Sequence, residues 1–185
     1  MFDKNTYIRR REELKKLVGK GIIVLFGNNE APYNYPANAY APMRQDSAFL
    51  YYFGQHRDGL VGVIDIDNDN EWLFGDDIDV EDIVWMGFTP SVSDLAEEVG
   101  VSKTAPMSHL ISYIKHQTSK IHFLPPYRYD TKIQILDLLG IHPSKQKEAA
   151  SLDLIKAVVK MRSTKEPLEI AAIDRACDIG YAMHT

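Results

Sequence analysis

Apolar positions along this chain recur in two rhythms, and the switching between them lays out the fold. From Tyr7 to Val18, the residues Tyr7, Leu14, Leu17 and Val18 share one side of a helix, while Arg9, Arg10, Arg11, Glu13 and Lys15 fall mostly elsewhere. Gly19 and Gly21 bracket the end of that segment. Ile22–Phe26 follows as a nearly unbroken apolar run of strand-forming residues, the pattern of a strand covered on both faces. The stretch from Gly27 to Met43 keeps no period and holds three prolines, four asparagines and three tyrosines, which predicts a long loop. Ala48–Phe53 is heavily aromatic and β-prone, and reads as a strand closed by Gly54. Leu60–Ile66 and Glu71–Phe74 flank Asp67-Asn-Asp-Asn70, an antiparallel hairpin.

The second half is mainly helical in rhythm. After an acidic stretch from Asp76 to Asp82 and the apolar Ile83–Met86, Ser91 is placed to cap a helix from Val92 to Val99, with Asp94 at its third position and Gly100 beyond. Met107–Gln117 reads as a short helix and Lys120–Leu124 as a strand ended by Pro125-Pro126. Asp130 is expected to cap a helix carrying Ile133, Ile135, Leu136 and Leu139 towards Gly140. Asp153–Lys160, with Leu154, Ile155, Val158 and Val159, is helical or extended and leads to Met161-Arg162. A last helix begins at Pro167, whose missing N–H costs nothing in the first helical position, and Glu169 lies near the unpaired amides. Leu168, Ile170, Ala171, Ile173, Ala176, Cys177, Ile179 and Gly180 give it one broad apolar face that wants a partner surface. No stop signal comes after it, so this helix is expected to open a further domain.

The fold expected is therefore α/β: a mixed β-sheet with helices on both faces over residues 1–162. Residues 163–185 form a linker at Ser163-Thr164 and the first helix of a second domain. The 185 residues suffice for one substantial core. A charge of −5, with 45% apolar and 25% charged residues, gives no general attraction to nucleic acid or to anionic membranes. Cys177, the single cysteine, forms no internal disulfide and reads as a small buried hydrophobe. The N-terminal residues lack a signal core and no apolar run reaches membrane-spanning length, so the expected location is cytoplasmic.

Catalytic patterns are present only in fragments. Asp65, Asp67, Asp69 and Asp76 mimic part of a calcium loop, but Asn70 occupies the place of its central glycine and Trp72-Leu-Phe74 continues as strand, which favours a solvated hairpin turn. His56, His109, His116, His122, His142 and His184 form no HExxH pair or tight ligand cluster. No GxSxG elbow or phosphate loop is present. Arg44 and Asp46 precede the aromatic segment and read as organisers of the loop. Trp85 reads either as core or as an exposed contact anchor.

The segment Arg44-Gln-Asp-Ser-Ala-Phe-Leu-Tyr-Tyr-Phe-Gly54, followed at the right separation by Met161-Arg-Ser-Thr-Lys-Glu-Pro-Leu-Glu-Ile-Ala-Ala-Ile-Asp-Arg-Ala176, closely resembles the N-terminal domain of Xaa-Pro aminopeptidases (aminopeptidase P) and the wider creatinase/prolidase family. Arg162, Lys165, Pro167, Glu169 and Ile170 match the family pattern, and Glu166 stands where relatives commonly have serine. The resemblance implies a two-domain enzyme. Its C-terminal "pita-bread" domain would bind two divalent metal ions, typically manganese, and hydrolyse the N-terminal peptide bond before proline. None of the metal ligands is assigned to this chain, which is expected to be inactive alone and to carry no cofactor. The resemblance further implies that the N-terminal domain supports homo-oligomers and walls the entrance to the active site. Its partners would then be its own catalytic domain, further copies, and proline-containing peptides. Val84-Trp-Met-Gly87 resembles a family segment whose tryptophan reaches a neighbouring subunit's active site, which makes Trp85 the candidate substrate-binding residue. A prolidase-like or creatinase-like hydrolase, and a non-enzymatic interaction protein, are the alternative parents.

Overall fold

The computed structural model describes residues 2–35, 38–39, 43–79, 83–84 and 87–184. Trp85 lies outside them. Helix α1, Lys4–Val18, starts where the Asp3 carboxylate accepts from the Asn5 amide at 2.9 Å, and Gly19 ends it at φ 88°. Strand β1, Ile22–Phe26, follows. The segment read as a strand is instead helix α2, Ser47–Phe53. Its aromatic residues favour strands by propensity, but the Asp46 carboxylate accepts from the amides of Ala48 at 2.9 Å and Phe49 at 2.8 Å, which starts a helix. Gly54 stops it in the left-handed region at φ 65°, and a Cβ there would also collide with the Tyr7 ring.

Strands β2, Val61–Asp65, and β3, Asn70–Phe74, form the expected antiparallel hairpin, with Val63 opposite Trp72. Asp65 accepts from the Asn68 backbone at 3.1 Å, from its side chain at 2.9 Å and from the Tyr113 hydroxyl at 2.8 Å, so this carboxylate is taken up by the turn and by Tyr113. Helix α3, Val92–Glu98, carries the full Ser91/Asp94 capping box. Strand β4, Lys103–Ala105, helix α4, Met107–Lys115, and strand β5, Ile121–His122, come next. Helix α5, Tyr129–Leu139, has Arg128 in its cap position, with no side-chain capping bond, and not Asp130, which is the second residue of the helix and pairs with the Arg128 Nε at 3.2 Å. Helix α6, Pro143–Ala149, leads to α7, Leu152–Ser163, and α8, Pro167–His184.

The sheet runs β4-β3-β2-β1-β5; the three central strands are antiparallel, and the short edge strands are parallel to their neighbours. Side chains alternate along β1, so Ile23 and Leu25 join Ile64 and Leu73 beneath helices α1, α2, α3 and α7. Ile22 and Val24 face the other way, with Val61, Val63 and Phe74, towards Leu110 and Ile114 of α4 and Leu138 of α5. The mixed sheet with helices on both faces is thus as the hydrophobic rhythm predicts.

His122 joins the edge of this sheet to α7. Its Nε2 lies 3.0 Å from the Lys20 carbonyl, which can only accept, so the other ring nitrogen accepts from the Ser151 hydroxyl at 2.6 Å. Ser151 in turn receives the Leu154 amide at 3.3 Å and caps α7. Burial, reinforced by Lys120, holds His122 below its ordinary value, with the Lys20 carbonyl, Asp153 and Asp67 opposing. The fold therefore favours the neutral ring, while the unfolded chain takes up a proton near pH 6.5. Stability conferred by His122 should be complete above that pH and be lost as pH falls from it towards the depressed folded value. Urea titrations at pH 7.5 and 5.5 check this: the pH-dependent loss should shrink in His122→Gln, and an equal loss in both proteins would refute the assignment.

Candidate functional site

Two adjacent arginines of α1 organise the side of the domain where the final helix departs. Helical spacing places Arg10 and Arg11 three and four residues beyond Tyr7, and four and three before Leu14, on the inward face. Both are buried, at 1% and 0% exposure, instead of lying on the solvated face that their charge predicts. Arg11 donates from Nε to Glu71 at 2.7 Å, and from its two terminal nitrogens to the carbonyls of Tyr52 at 3.0 Å, Val99 at 2.9 Å and Gly100 at 3.1 Å. Burial pulls its basicity below the ordinary arginine value and Glu71 opposes that pull. Glu71 also holds Lys15 at 3.0 Å. Burial works against the Lys15 charge, yet Glu12, Asp69 and Glu71 together raise it above the usual lysine value.

Arg10 faces the other direction. One terminal nitrogen donates to the Tyr51 carbonyl at 3.1 Å; the other lies 3.2 Å from Glu166 and 3.3 Å from Glu169. Its guanidinium lies 3.8 Å from the centre of the Tyr51 ring and 5.2 Å from that of Phe2. Its Nε is buried without a hydrogen-bond partner. Arg9 adds a 2.7 Å bridge to Glu166. The hydrogen bond from Arg9, with the nearby Arg10 charge, holds the Glu166 carboxyl below the usual range against its partial burial.

Glu166 therefore does not cap α8 with its side chain. Its carbonyl accepts from Glu169 and Ile170 at 2.9 and 3.1 Å, and the Glu169 carboxylate accepts in return from the Glu166 amide at 3.0 Å. The side chain left over turns back to α1. Beside this contact lies a cavity of about 360 Å³, bordered by Phe2, Tyr7, Tyr51, His56, Arg162 and Arg175. Along its length α8 has no buried residue; Ile170, Ile173, Ile179, Tyr181 and Met183 are all exposed.

The other residues singled out from sequence are scattered. Cys177, expected to be buried, is exposed on α8, because no described part of the protein covers that face. Arg44 is exposed and contributes its carbonyl to the Asn28 side chain at 2.8 Å, while Asp46 caps α2. His109 and His116 border an open apolar groove with Trp72, Phe74 and Tyr113, and His142 caps α6. Among the described residues, no three His, Cys, Asp or Glu side chains converge as a metal site. Nor is any helix among them long and apolar enough to cross a membrane.

Residues 7–122 match the family model for the aminopeptidase P N-terminal domain. A curated relative, the probable Xaa-Pro aminopeptidase PEPP of Leptosphaeria maculans, is 28% identical over 148 residues, covering 78% of this chain and 25% of the relative. Among solved structures, the zinc-substituted aminopeptidase P of E. coli in complex with product superimposes with a TM-score of 0.81 at 22% identity. The low-pH form of the E. coli enzyme gives a TM-score of 0.80 at 23% identity. In both, all of this chain is matched but only 44% of the other, so the chain spans less than half the length of the proteins it resembles. The family match begins at Tyr7 on the inward face of α1 and ends at His122 in β5, and on that ground the chain belongs to the aminopeptidase P N-terminal domain family.

Proposed function

We propose that this chain is the non-catalytic N-terminal domain of a metal-dependent Xaa-Pro aminopeptidase, acting in the cytoplasm through subunit association and control of peptide entry. Residues 1–162 form the accessory domain in this reading, and residues 163–185 lead into the catalytic one. The observation that carries it is α8: an 18-residue helix with five large apolar side chains exposed and none of its residues buried. Such a face gains stability only against further protein. The described residues offer no ligand set that fits a dinuclear metal centre, so no step of hydrolysis is assigned to them. Two divalent ions, manganese by family resemblance, would be held by the second domain and would supply Lewis-acid chemistry there. Trp85, in the Val84-Trp-Met-Gly87 segment, is proposed as a substrate contact supplied to a neighbouring subunit.

Assays of an Xaa-Pro peptide with added manganese test the reading. The purified 185-residue chain should be inactive and the longer polypeptide active, with Trp85→Ala in the latter raising KM. Hydrolysis by the short chain, or a manganese-loaded longer polypeptide without activity, would overturn the division of labour. Unchanged KM and oligomeric state in Trp85→Ala would remove that residue from it.

A further inference from the structure

We infer that Arg10 is a positioning residue: an electrostatic latch that sets the angle at which α8 leaves the domain. The inference rests on the two-domain reading only in taking α8 to carry the second domain. One buried guanidinium joins three elements through the Tyr51 carbonyl and ring of α2, its own helix α1, and Glu166 and Glu169 at the start of α8. Both carboxylates sit where the helix dipole of α8 favours negative charge. Planar donors in a fixed fork give directional hold that a lysine point charge does not.

Apolar packing does not supply this hold. Only Glu166, Leu168, Glu169, Ala172 and Gly180 along the helix are even half-buried, and the cavity lies beneath its first turns. Removing the carboxylates leaves α8 hinged at Ser163-Thr164 over open space. With them in place the helix is held at one inclination, and a domain attached to it would be held likewise.

Cys177, the single cysteine and exposed on α8, gives a direct test by pulsed spin-label distance measurement. A second label enters at Lys16→Cys on α1, and a control pair at Lys16→Cys and Lys147→Cys, in a Cys177→Ser background, reports on the domain body. The parent sequence should give one narrow distance between α1 and α8. Arg10→Met, which leaves only the exposed Arg9 bridge to Glu166, should spread that peak widely, and Arg10→Lys should broaden it less. Because Arg10→Met also alters a buried position, Glu166→Ala/Glu169→Gln provides the independent arm: it removes both charges that face Arg10, and the one that faces Arg9, and keeps an acceptor at residue 169 for the helix cap. Loss of the narrow α8 distance with an unchanged control distance supports the latch; retention of that distance in the double variant overturns it. A manganese-loaded longer polypeptide without peptidase activity would defeat the two-domain reading while the narrow α1–α8 distance in this chain leaves the latch in place.

Discussion

Replacing Arg11 by methionine is expected to destabilise the domain by about 3–5 kcal/mol, the usual range for removing one partner of a buried ion pair. Methionine fills most of the volume and removes the charge, so the loss reports on bonding more than on packing. Glu71 keeps Lys15, but the Tyr52, Val99 and Gly100 carbonyls lose their donor together. Those carbonyls end α2 and α3, where no further turn of helix satisfies them. In thermal unfolding the variant should melt roughly 10–15 °C below the parent. Arg11→Lys should fall between the two, since it restores charge without the fork. A midpoint for Arg11→Met within experimental error of the parent would show that the four bonds contribute nothing.

Gly62→Ala is the second large effect, expected to cost about 2–3 kcal/mol through overpacking. Gly62 lies in the middle of β2, paired with Leu25 on one side and Leu73 on the other, so the strand cannot move away. An added methyl would enter the space of the Phe53 ring, which is fully buried and stacked on Phe49 at 5.4 Å. The close approach exists because α2 crosses the sheet at this point, and only a residue without a side chain allows it. Denaturant unfolding of Gly62→Ala, Phe53→Leu and the double variant makes the test specific. The smaller leucine should recover part of the alanine loss, a coupling of roughly 1 kcal/mol or more between contacting residues. Simple additivity of the two losses would disprove the clash.

Where local chemistry and tertiary environment agree, the sequence is a reliable guide. The buried run Ile22–Phe26, the hairpin around Asp67-Asn-Asp-Asn70 and the Ser91/Asp94 capping box all form as expected. Ala48–Phe53 misleads because aromatic propensity reports the fit of a side chain to a half-buried surface, and here that surface belongs to a helix begun by Asp46. Strand β4 has three half-buried residues, Lys103-Thr-Ala105, and no alternation long enough to read. Helix α6 exposes nearly all of its polar sequence, and Gln146 is its one buried residue. The arginines mislead for another reason. Residue type places Arg10 and Arg11 in solvent, whereas their spacing from Tyr7 and Leu14 already puts them inside, and the spacing prevails because each finds partners. At α8 the apolar period is legible and Cys177 falls on it, but burial requires a surface that the rhythm of one helix does not supply.

The buried arginines also bear on how the chain folds as it is made. Arg11 bonds to residues 41, 60, 88 and 89 positions away, and Arg10 to Glu166, 156 positions away. During synthesis from the N-terminus, α1 emerges with two cations whose permanent place is inside and whose acceptors do not yet exist. Desolvating them before those acceptors exist is unfavourable, so α1 gains its full hold on the sheet only once Gly100 has left the ribosome. The hairpin, with its short turn, is free to form sooner. The first helix translated therefore depends for its full set of bonds on some of the last residues made, and the Arg10 pairs are complete only when the start of α8 arrives.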